Sequence, residues 1–296
     1  MKNEKFNSIN ATEKEVQQYY DTYWSMKVKK HTIDEKQGFH HGFFEKGIKT
    51  PREAIQNMNK LVENLLDLHE MDRKDLLDVG CGIGSTSIYL ARKYPGSHFS
   101  GITISPVEVK LANEIINKQN LSNAKFILGN FLGTEFPEGS FDSVFALESI
   151  NHSTNKKYLI REMSRILKPG GKLVVVDWFR TDVPAHSFMQ EIYDAWSAGQ
   201  ANITLESRNN FISYLHDEGF KDVQVRDLFA NVKRGLFVTF FLWLPIFFPM
   251  ICKKIIKMEK ERSSKEMKDL LALSALDVLI GEGKIAEYLA ITAVKK

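Results

Sequence analysis

Three glycines at alternate positions, Gly80, Gly82 and Gly84, follow a predicted strand at 76–79 and precede a segment of helical periodicity. Glycine lets the backbone turn tightly and approach a ligand closely, where a side chain would clash. A helix that starts directly after such a loop offers free N–H groups. The pattern therefore predicts a ligand at the carboxyl end of the first strand of an α/β sheet. A tight strand-to-helix turn that binds nothing is the alternative interpretation.

The residues around this loop argue against a dinucleotide. The G-x-G-x-x-G fingerprint needs glycine at position 85 or 87, and both positions are serine. The second strand ends in Thr103, where dinucleotide-binding folds carry an acid for the ribose. An acid lies instead at Asp78, where it suits a cationic ammonium group and would repel a pyrophosphate. These features favour S-adenosylmethionine and disfavour an NAD-dependent oxidoreductase.

Polar side chains suited to proton transfer follow two later strands. Glu148 and His152 come after the fourth predicted strand, and Asp177 and Trp178 end the fifth. His152 is the best general base by residue type, because the ordinary pKa of histidine is near working pH. A structural hydrogen bond is the alternative for His152, and a strand-end anchor is the alternative for Asp177. Glu148 is predicted to contact either the cofactor or the substrate.

The elements that position these residues alternate along the chain from residue 75 onward. The predicted strands are 76–79, 98–104, 125–128, 141–147, 173–177, 223–228 and 285–293, and the predicted helices include 85–93, 106–118, 156–167, 187–198, 207–218 and 264–280. Strands and helices that alternate with short connections predict a parallel sheet covered on both faces. Thr50-Pro51-Arg52-Glu53 has the pattern of a helix start, with a cap, a proline and a glutamate in sequence.

The composition excludes several protein classes. The 296 residues are 43% hydrophobic and 26% charged, which is typical of globular proteins and not of disordered chains. The net charge of +3 gives no reason to expect nucleic acid as a partner. Two cysteines, Cys81 and Cys252, cannot form a disulfide framework or a zinc site. The polar N-terminus shows no secretory signal, so we expect a cytoplasmic protein.

Two motifs resemble the signatures of class I S-adenosylmethionine-dependent methyltransferases. They are DVGCGIG at 78–84 and RILKPGG at 165–171. Three further segments resemble the γ-tocopherol methyltransferases and their relatives that act on terpenoids, alkaloids and sugars: HHGFF at 40–44, GITISP at 101–106 and LESINH at 147–152. The resemblance implies a Rossmann-like α/β fold: a seven-strand, mostly parallel sheet with an antiparallel last strand, plus a helical cap.

The resemblance also implies which residues hold the cofactor, S-adenosylmethionine. The residues implied for the methionine end of the cofactor are Asp78, Gly80, Cys81, Gly82 and Gly84. Those implied for the adenosine are Thr103, Ile104, Ser105, Glu108, Asn130 and Phe131. Two positions depart from the family pattern. Thr103 replaces an acid, and Asn130 stands where many members carry an aspartate, although its amide oxygen can accept the same hydrogen bond. Glu108 also fits a capping box with Ser105, so ribose contact and helix capping both stay open.

An aromatic arm before residue 50 is predicted to fold over the site. The resemblance implies lid or substrate contacts for Tyr19, Tyr20, His40, His41 and Phe44, together with Trp178. Packing of the arm on the domain is the alternative. We do not expect His40 and His41 to bind a metal, because no cluster of ligands at suitable spacing accompanies them.

One segment, 236–252, is apolar at every position except Thr239, Pro245 and Pro249. Seventeen residues form a helix of about 25 Å, too short to cross a bilayer, and the prolines are expected to break it. Cations flank the segment on both sides: Lys233, Arg234, Lys253, Lys254, Lys257 and Lys260. The pattern predicts peripheral contact with a membrane. A lid over the substrate, with Phe241 and Trp243 facing it, and a homodimer contact are the alternatives.

These observations divide the chain into a helical arm and lid (1–72), a cofactor-binding core (73–180) and a third region (181–296) with the substrate cap, an apolar insertion at 233–262 and the last two strands. The predicted function is methylation of a small, largely apolar acceptor, a prenyl lipid or terpenoid, with transfer to carbon favoured. The alternatives are N- or O-methylation of an amine, sugar or alkaloid, and a cofactor-binding interaction module without catalysis. An amine acceptor predicts carboxylates or aromatic rings around a cation, and a prenyl acceptor predicts an apolar tunnel near 237–248.

Overall fold

A computed structural model describes residues 11–28, 38–153, 155–182, 186–201, 203–256 and 276–296. For residues 11, 12, 242, 243 and 245–256 it describes the backbone alone. Most of the helix predicted at 264–280 lies outside the described residues.

Seven strands form the central sheet, in the order β3-β2-β1-β4-β5-β7-β6. They are β1 (Asp75–Val79), β2 (His98–Thr103), β3 (Ala124–Leu128), β4 (Phe141–Leu147), β5 (Leu167–Arg180), β6 (Phe220–Asp227) and β7 (Ala286–Lys295). The first five strands are parallel, and β7 runs antiparallel to both β5 and β6. The predicted mostly parallel sheet with an antiparallel last strand is confirmed. The strand order reverses between β1 and β4, and ligands of such sheets bind at that point.

Nine described helices accompany the sheet. They are α1 (Ala11–Val28), α2 (Pro51–Leu66), α3 (Ser85–Lys93), α4 (Pro106–Lys118), α5 (Lys156–Ile166), α6 (Ser187–Gly199), α7 (Arg208–Asp217), α8 (Phe229–Ile256) and α9 (Asp277–Glu282), with a short 3₁₀ turn at Ile150–His152. The predicted Thr50 capping box is present at the start of α2. Helix α9 contacts both α6 and α8, so these three helices form a cap beside the sheet.

The two faces of the sheet bury separate apolar layers. Neighbouring residues of β1 point to opposite faces, so Leu76 belongs to one layer and Leu77 to the other. The layer of Leu76 contains Met58 of α2 and Trp24 of α1, and the layer of Leu77 contains Leu159 of α5. Burial on both faces explains the continuous apolar runs of the parallel strands. The region boundaries at 72 and 180 stay a prediction, while β6 and β7 of the third region complete the same sheet.

Helix α8 differs from its prediction. Pro245 and Pro249 were expected to break the apolar segment, but α8 continues through both for 28 residues. Each proline removes one backbone donor and its ring crowds the carbonyl four residues earlier, but its fixed φ is compatible with a helix. The long helix therefore loses single hydrogen bonds without ending. None of the described helices combines the length and apolarity that a membrane crossing requires.

Glu63 joins α2 to α3 through a buried carboxylate. Its side chain is 9% exposed and accepts hydrogen bonds from Tyr89 at 2.5 Å, Tyr94 at 2.6 Å and Lys93 at 2.5 Å. Burial alone would raise the pKa of Glu63, but the three donors outweigh it and lower that pKa. A depressed pKa means that the carboxylate stabilises the fold above its ordinary pKa. This stabilisation is lost as the pH falls through the depressed value.

We expect Glu63→Ala to lower the free energy of unfolding by about 2 to 4 kcal/mol at neutral pH, because two tyrosine hydroxyls lose their acceptor. Urea unfolding measures the difference, which should shrink at acidic pH as Glu63 protonates in the wild type. Glu70→Ala is the control, since Glu70 is exposed just beyond α2. A Glu63 variant as stable as the wild type at neutral pH would contradict this account.

Candidate active site

The glycine loop is held against β2 and faces a cavity. The backbone N–H groups of Gly80 and Cys81 both donate to the carbonyl of Ile102, at 2.9 and 3.1 Å. All three loop glycines have positive φ, of 71°, 56° and 78°. A Cβ at Gly80 would lie 2.4 Å from Ser149, and one at Gly84 would lie 2.3 Å from the Phe126 ring. At Gly82 the nearest atom to such a Cβ is a Glu108 oxygen at 3.7 Å, so the open space beside Gly82 belongs to the cavity.

This first cavity encloses about 930 Å³, including its mouth, at the carboxyl ends of β1, β2 and β4. Nine of the predicted cofactor residues line it: Asp78, Gly80, Cys81, Gly82, Thr103, Ile104, Glu108, Asn130 and Phe131. Two do not. Gly84 is the N-cap of α3, and Ser105 caps α4 by accepting from the Glu108 N–H at 3.1 Å. The structure therefore places Gly84 and Ser105 in helix starts and not at the cavity wall, because each ends a strand-to-helix turn.

Asp78 is a buried carboxylate at the base of the cavity. The Ser87 hydroxyl donates to it at 2.7 Å. Burial raises the pKa of Asp78 to about 7, and the bond from Ser87 only partly opposes this. A positive charge within a few ångströms would favour the ionised form. The ammonium group of a bound methionine moiety fits this position.

Glu108 faces the same cavity from the start of α4. Its carboxylate accepts from Thr103 at 2.6 Å and from the Trp24 indole at 2.9 Å. The backbone N–H of Ser105 donates to the Thr103 hydroxyl and not to the Glu108 carboxylate. Only one of the two hydrogen bonds of the predicted capping box is therefore present, the one from the Glu108 N–H to Ser105. Burial raises the pKa of Glu108 to about 7. Helix capping thus falls to Ser105, and the carboxylate of Glu108 is left for contacts at the cavity.

Asn130 departs from its predicted role. Its amide oxygen accepts the N–H of Leu132 at 2.9 Å, while Nδ2 is buried with no partner within the described residues. The amide therefore offers the cavity a donor, whereas we predicted an acceptor for the adenine amino group. A donor at this place suits a ring nitrogen of adenine, which is a hydrogen-bond acceptor.

Helix α1 closes the cavity from the opposite side. Val16, Tyr20 and Trp24 line the cavity, and Asp21 accepts a hydrogen bond from Ser105 at 2.5 Å. The Tyr20 hydroxyl lies 2.8 Å from His152 Nε2. Val16 and Trp24 were not predicted as site residues, although their spacing of four residues on either side of Tyr20 places all three on one helix face. That spacing is the signal that identifies the face of α1 that covers the cavity.

A second cavity of about 840 Å³ lies beside the first and shares part of its wall. The residues that line both are Tyr20, Gly38, Phe39, His40, Glu148 and His152. The second cavity alone is lined by Tyr19, His41, Asn151, Asp177, Trp178, Gln200, Ile203, Thr239 and Asp277. A ligand in one cavity therefore faces a ligand in the other across Glu148 and His152.

Glu148 occupies this boundary with a strained backbone. Its φ of 51° lies in the left-handed region, which non-glycine residues adopt mainly where the surroundings require it. Its Oε1 accepts the N–H of His41 at 2.8 Å and the hydroxyl of Tyr288. Burial raises the pKa of Glu148 to about 7. A carboxylate with that pKa exchanges protons readily at neutral pH.

His152 and Asp177, the other predicted proton carriers, have different surroundings. Burial lowers the pKa of His152 to about 3, with a smaller effect of Lys156, and its Nδ1 has no partner among the described residues. Asp177 accepts from the Ile150 N–H at 3.0 Å, the Trp178 N–H at 2.8 Å and the Asn151 amide at 2.6 Å. These contacts match the strand-end anchor that was the alternative for Asp177.

The predicted lid residues divide into two groups. Tyr19, Tyr20, His40, His41 and Trp178 line the second cavity. Phe44 does not: its ring packs against Gly235 of α8, and its N–H donates to Asn231, which fixes α8 on the arm. Phe241 is 62% exposed, and the side chain of Trp243 lies outside the described residues. Within the described residues there is no group of side chains suited to hold a metal ion.

Asp277, Gln200 and Tyr288 reach the second cavity or its wall without any signal in the sequence. Asp277 begins α9, Gln200 follows α6, and Tyr288 lies on β7. No motif surrounds these residues. The pairing of β7 with β5 brings Tyr288 beside Trp178, and the Gln200 amide donates a hydrogen bond to Asp277. Sequence spacing alone cannot identify such contacts.

Known proteins resemble this chain in sequence and in fold. The family described as "Methyltransferase domain" matches residues 71–217. A probable tocopherol O-methyltransferase of rice is 36% identical over 147 residues, 47% of this chain and 40% of its own length. The 2-methyl-6-phytyl-1,4-hydroquinone methyltransferase of Synechocystis is 42% identical over 129 residues, 41% of this chain and 40% of its own. The chain thus spans less than half of both relatives.

Solved structures extend the similarity to nearly the whole chain. Geranyl diphosphate C-methyltransferase from Streptomyces coelicolor has a TM-score of 0.71, with 97% of this chain and 99% of that one covered at 15% identity. At that identity the match concerns the fold. Together with the sequence relatives, it confirms the resemblance to class I methyltransferases.

Proposed function

We propose that this chain, whose residues 71–217 match a methyltransferase domain family, transfers a methyl group from S-adenosylmethionine to a small, largely apolar acceptor. The observation that carries the proposal is the shared wall of two cavities, one of them built on the glycine loop. The two relatives named for tocopherol and phytyl-hydroquinone substrates support a prenyl lipid or terpenoid, with transfer to carbon favoured.

The first cavity fits the cofactor by three independent features. Space beside Gly82 admits a ligand, a cation would favour the ionised form of the buried Asp78 carboxylate, and the Asn130 amide has a buried donor without a partner in the described part of the chain. When bound, the cofactor supplies a methyl group activated by a sulfonium. Helix α1 excludes water from this site by contacting Glu108 and His152.

Glu148 is the residue we propose as proton acceptor where the acceptor must lose a proton. Its raised pKa suits a base at neutral pH, and it lies on the boundary of the two cavities. His152 has too low a pKa to hold a proton at neutral pH, and its contact with Tyr20 assigns it to positioning α1. Asp177 holds the turn that carries His152.

One observation favours a second candidate function, N-methylation of a small amine. The second cavity carries Glu148, Asp177 and Asp277 among aromatic rings of Tyr19 and Trp178. Carboxylates and ring faces together stabilise an organic cation. A prenyl acceptor would instead extend toward the apolar segment of α8, from which the polar residue Thr239 reaches the cavity wall.

A labelling experiment tests both functions. The purified protein is incubated with methyl-labelled S-adenosylmethionine and either a prenyl lipid extract or a mixture of small amines. We expect a lipid-soluble product one methyl group heavier than its precursor, identified by mass spectrometry. Labelled amines without labelled lipids would support the second candidate. A chain that binds the cofactor but labels neither set would be a binding module.

Helix α8 supports a peripheral contact with membranes, which would bring the protein to a lipid-borne acceptor. Val238 and Phe241 of α8 are exposed, while Val232 and Leu236 of the same helix are buried. Exposed apolar side chains beside cations are typical of helices that lie in a membrane interface. The cation nearest to Phe237, Lys233, stands 5.6 Å from its ring.

We expect the protein to sediment with anionic liposomes at low salt and less so at high salt, because salt screens the flanking lysines. Replacing Phe241, Trp243, Phe247 and Phe248 with serine should abolish this binding and leave cofactor affinity unchanged. Met71→Ser is the control, since Met71 is 91% exposed and lies in the loop between α2 and β1. Wild-type protein that stays in the supernatant at low salt would leave a lid or a dimer contact as the role of α8.

A further inference from the structure

Asp277 is a buried carboxylate with one satisfied oxygen and one free oxygen. Its side chain is 6% exposed at the wall of the second cavity. Oδ1 accepts from the Trp196 indole at 2.5 Å and from the Gln200 amide at 3.0 Å. Nε2 of His41 lies 3.7 Å from Oδ2. Two donors thus hold the carboxylate in place while Oδ2 stays available.

The proton of His41 does not reach this free oxygen. The Trp178 indole N–H lies 3.2 Å from His41 Nε2, and an indole nitrogen only donates, so Nε2 must be the acceptor. Burial lowers the pKa of His41, which keeps the ring neutral with its proton on Nδ1. Oδ2 of Asp277 therefore has no hydrogen-bond donor among the residues that the structure describes.

Glu148 repeats this arrangement near the same ring nitrogen of His41. Its Oε1 takes both donors, the His41 N–H and the Tyr288 hydroxyl. Its Oε2 is 3.9 Å from His41 Nε2, which carries no proton to donate. Two carboxylate oxygens thus converge on one part of the second cavity, and each lacks a donor within the described residues.

We propose that Asp277 and Glu148 together bind the polar head of the methyl acceptor, a group that donates hydrogen bonds through hydroxyl or ammonium protons. Asp277 is then a specificity-determining residue, and this inference rests on the proposed function. Two further ring nitrogens at this cavity, Nε2 of His40 and Nδ1 of His152, are buried without a partner in the described part of the chain. They offer additional contacts to the same head group.

The free-energy cost of two carboxylate oxygens without a hydrogen-bond donor supports the proposal. Burial raises the pKa of Asp277 to about 6 and that of Glu148 to about 7, although donors hold one oxygen of each. A donor-bearing head would replace the water contacts that these two oxygens lose when a ligand fills the cavity. A head without donors would leave both oxygens desolvated, so the site discriminates against it.

Binding of four matched probes tests this inference. Hexylhydroquinone and hexylammonium carry donors, whereas hexylhydroquinone dimethyl ether and hexyltrimethylammonium have the same apolar chain without donors. Each is titrated by calorimetry into the full-length protein saturated with S-adenosylhomocysteine. We expect at least one donor-bearing probe to bind about 10- to 100-fold more tightly than its methylated counterpart. The probe that does so identifies the head as a hydroxyl or an ammonium group.

Asp277→Asn is the variant that addresses the residue directly. The amide keeps a carbonyl oxygen for Trp196 and Gln200 and replaces the free oxygen with an NH₂ group, so the packing is retained. We expect it to remove most of the preference for the donor-bearing probe. Glu282→Gln is the control on the same helix, where Glu282 pairs with Lys233 away from the cavity.

The outcomes separate this inference from the proposed function. An unchanged preference in Asp277→Asn, equal binding of donor-bearing and methylated probes, or no binding of any probe would overturn the role of Asp277. S-adenosylhomocysteine binding is measured first in each protein. If the wild type fails to bind it, the proposed function fails. If the wild type binds S-adenosylhomocysteine but binds donor-bearing and methylated probes equally, only the proposed head-group site of Asp277 and Glu148 is wrong.

Discussion

Replacing Gly82 with valine is expected to abolish measurable binding of S-adenosylmethionine and S-adenosylhomocysteine. Gly82 has a φ of 56° and borders open cavity space, where the nearest atom to an added Cβ is a Glu108 oxygen at 3.7 Å. A valine would extend two further methyl groups into the volume that the methionine moiety needs. Steric overlap with a bound ligand has no compensating contact, so we expect affinity to fall by about 100-fold or more.

The control for this variant separates steric overlap from backbone strain. Gly139→Val places the same side chain at a φ of 64°, where an added Cβ would meet nothing within 4 Å. In both variants the left-handed backbone conformation of valine costs about 1 to 2 kcal/mol of folding free energy, but only Gly82 faces the cavity. Calorimetry should therefore show normal cofactor binding in the Gly139 variant. Equal losses in both, or normal binding in Gly82→Val, would remove the glycine loop from the cofactor site.

Local signals account for what the sequence predicted well. The glycine loop and the strands β1 to β4 follow from residues that are adjacent in the chain, so their positions match the structure closely. Strand β5 covers Leu167–Arg180 and is longer at both ends than the predicted 173–177. Helix α8 shows the limit of such signals. Pro245 and Pro249 each remove a backbone hydrogen bond, but the long helix continues because its other backbone hydrogen bonds remain.

Long-range contacts account for what the sequence did not predict. Tyr288 approaches Trp178 because β7 pairs with β5, and Asp277 approaches His41 from α9, which packs against α6 and α8. The protonation states of the predicted residues could not be read from the sequence either, because burial decides their pKa values. Burial lowers the pKa of His152 and raises that of Glu148, which reverses the order of the two as bases predicted from residue type.

Glu148→Gln is expected to lower kcat by about 10²- to 10⁴-fold where the acceptor loses a proton, the usual contribution of a general base. The amide retains an oxygen for the His41 N–H and the Tyr288 hydroxyl, so the strained turn keeps its contacts. Affinity for S-adenosylhomocysteine should stay nearly unchanged. Calorimetry and steady-state kinetics together distinguish this outcome from a folding defect.

The pH dependence of the wild type provides an independent measurement of the same role. A base must be ionised to accept a proton, and the pKa of Glu148 is about 7, so kcat should fall as the pH drops below about 7. The residual activity of Glu148→Gln should lack this fall. His152→Ala should lose less, because the low pKa of His152 makes it a weak base. If His152→Ala instead loses about 100-fold in kcat while Glu148→Gln keeps the acidic fall of the wild type, the base is His152, held by Tyr20.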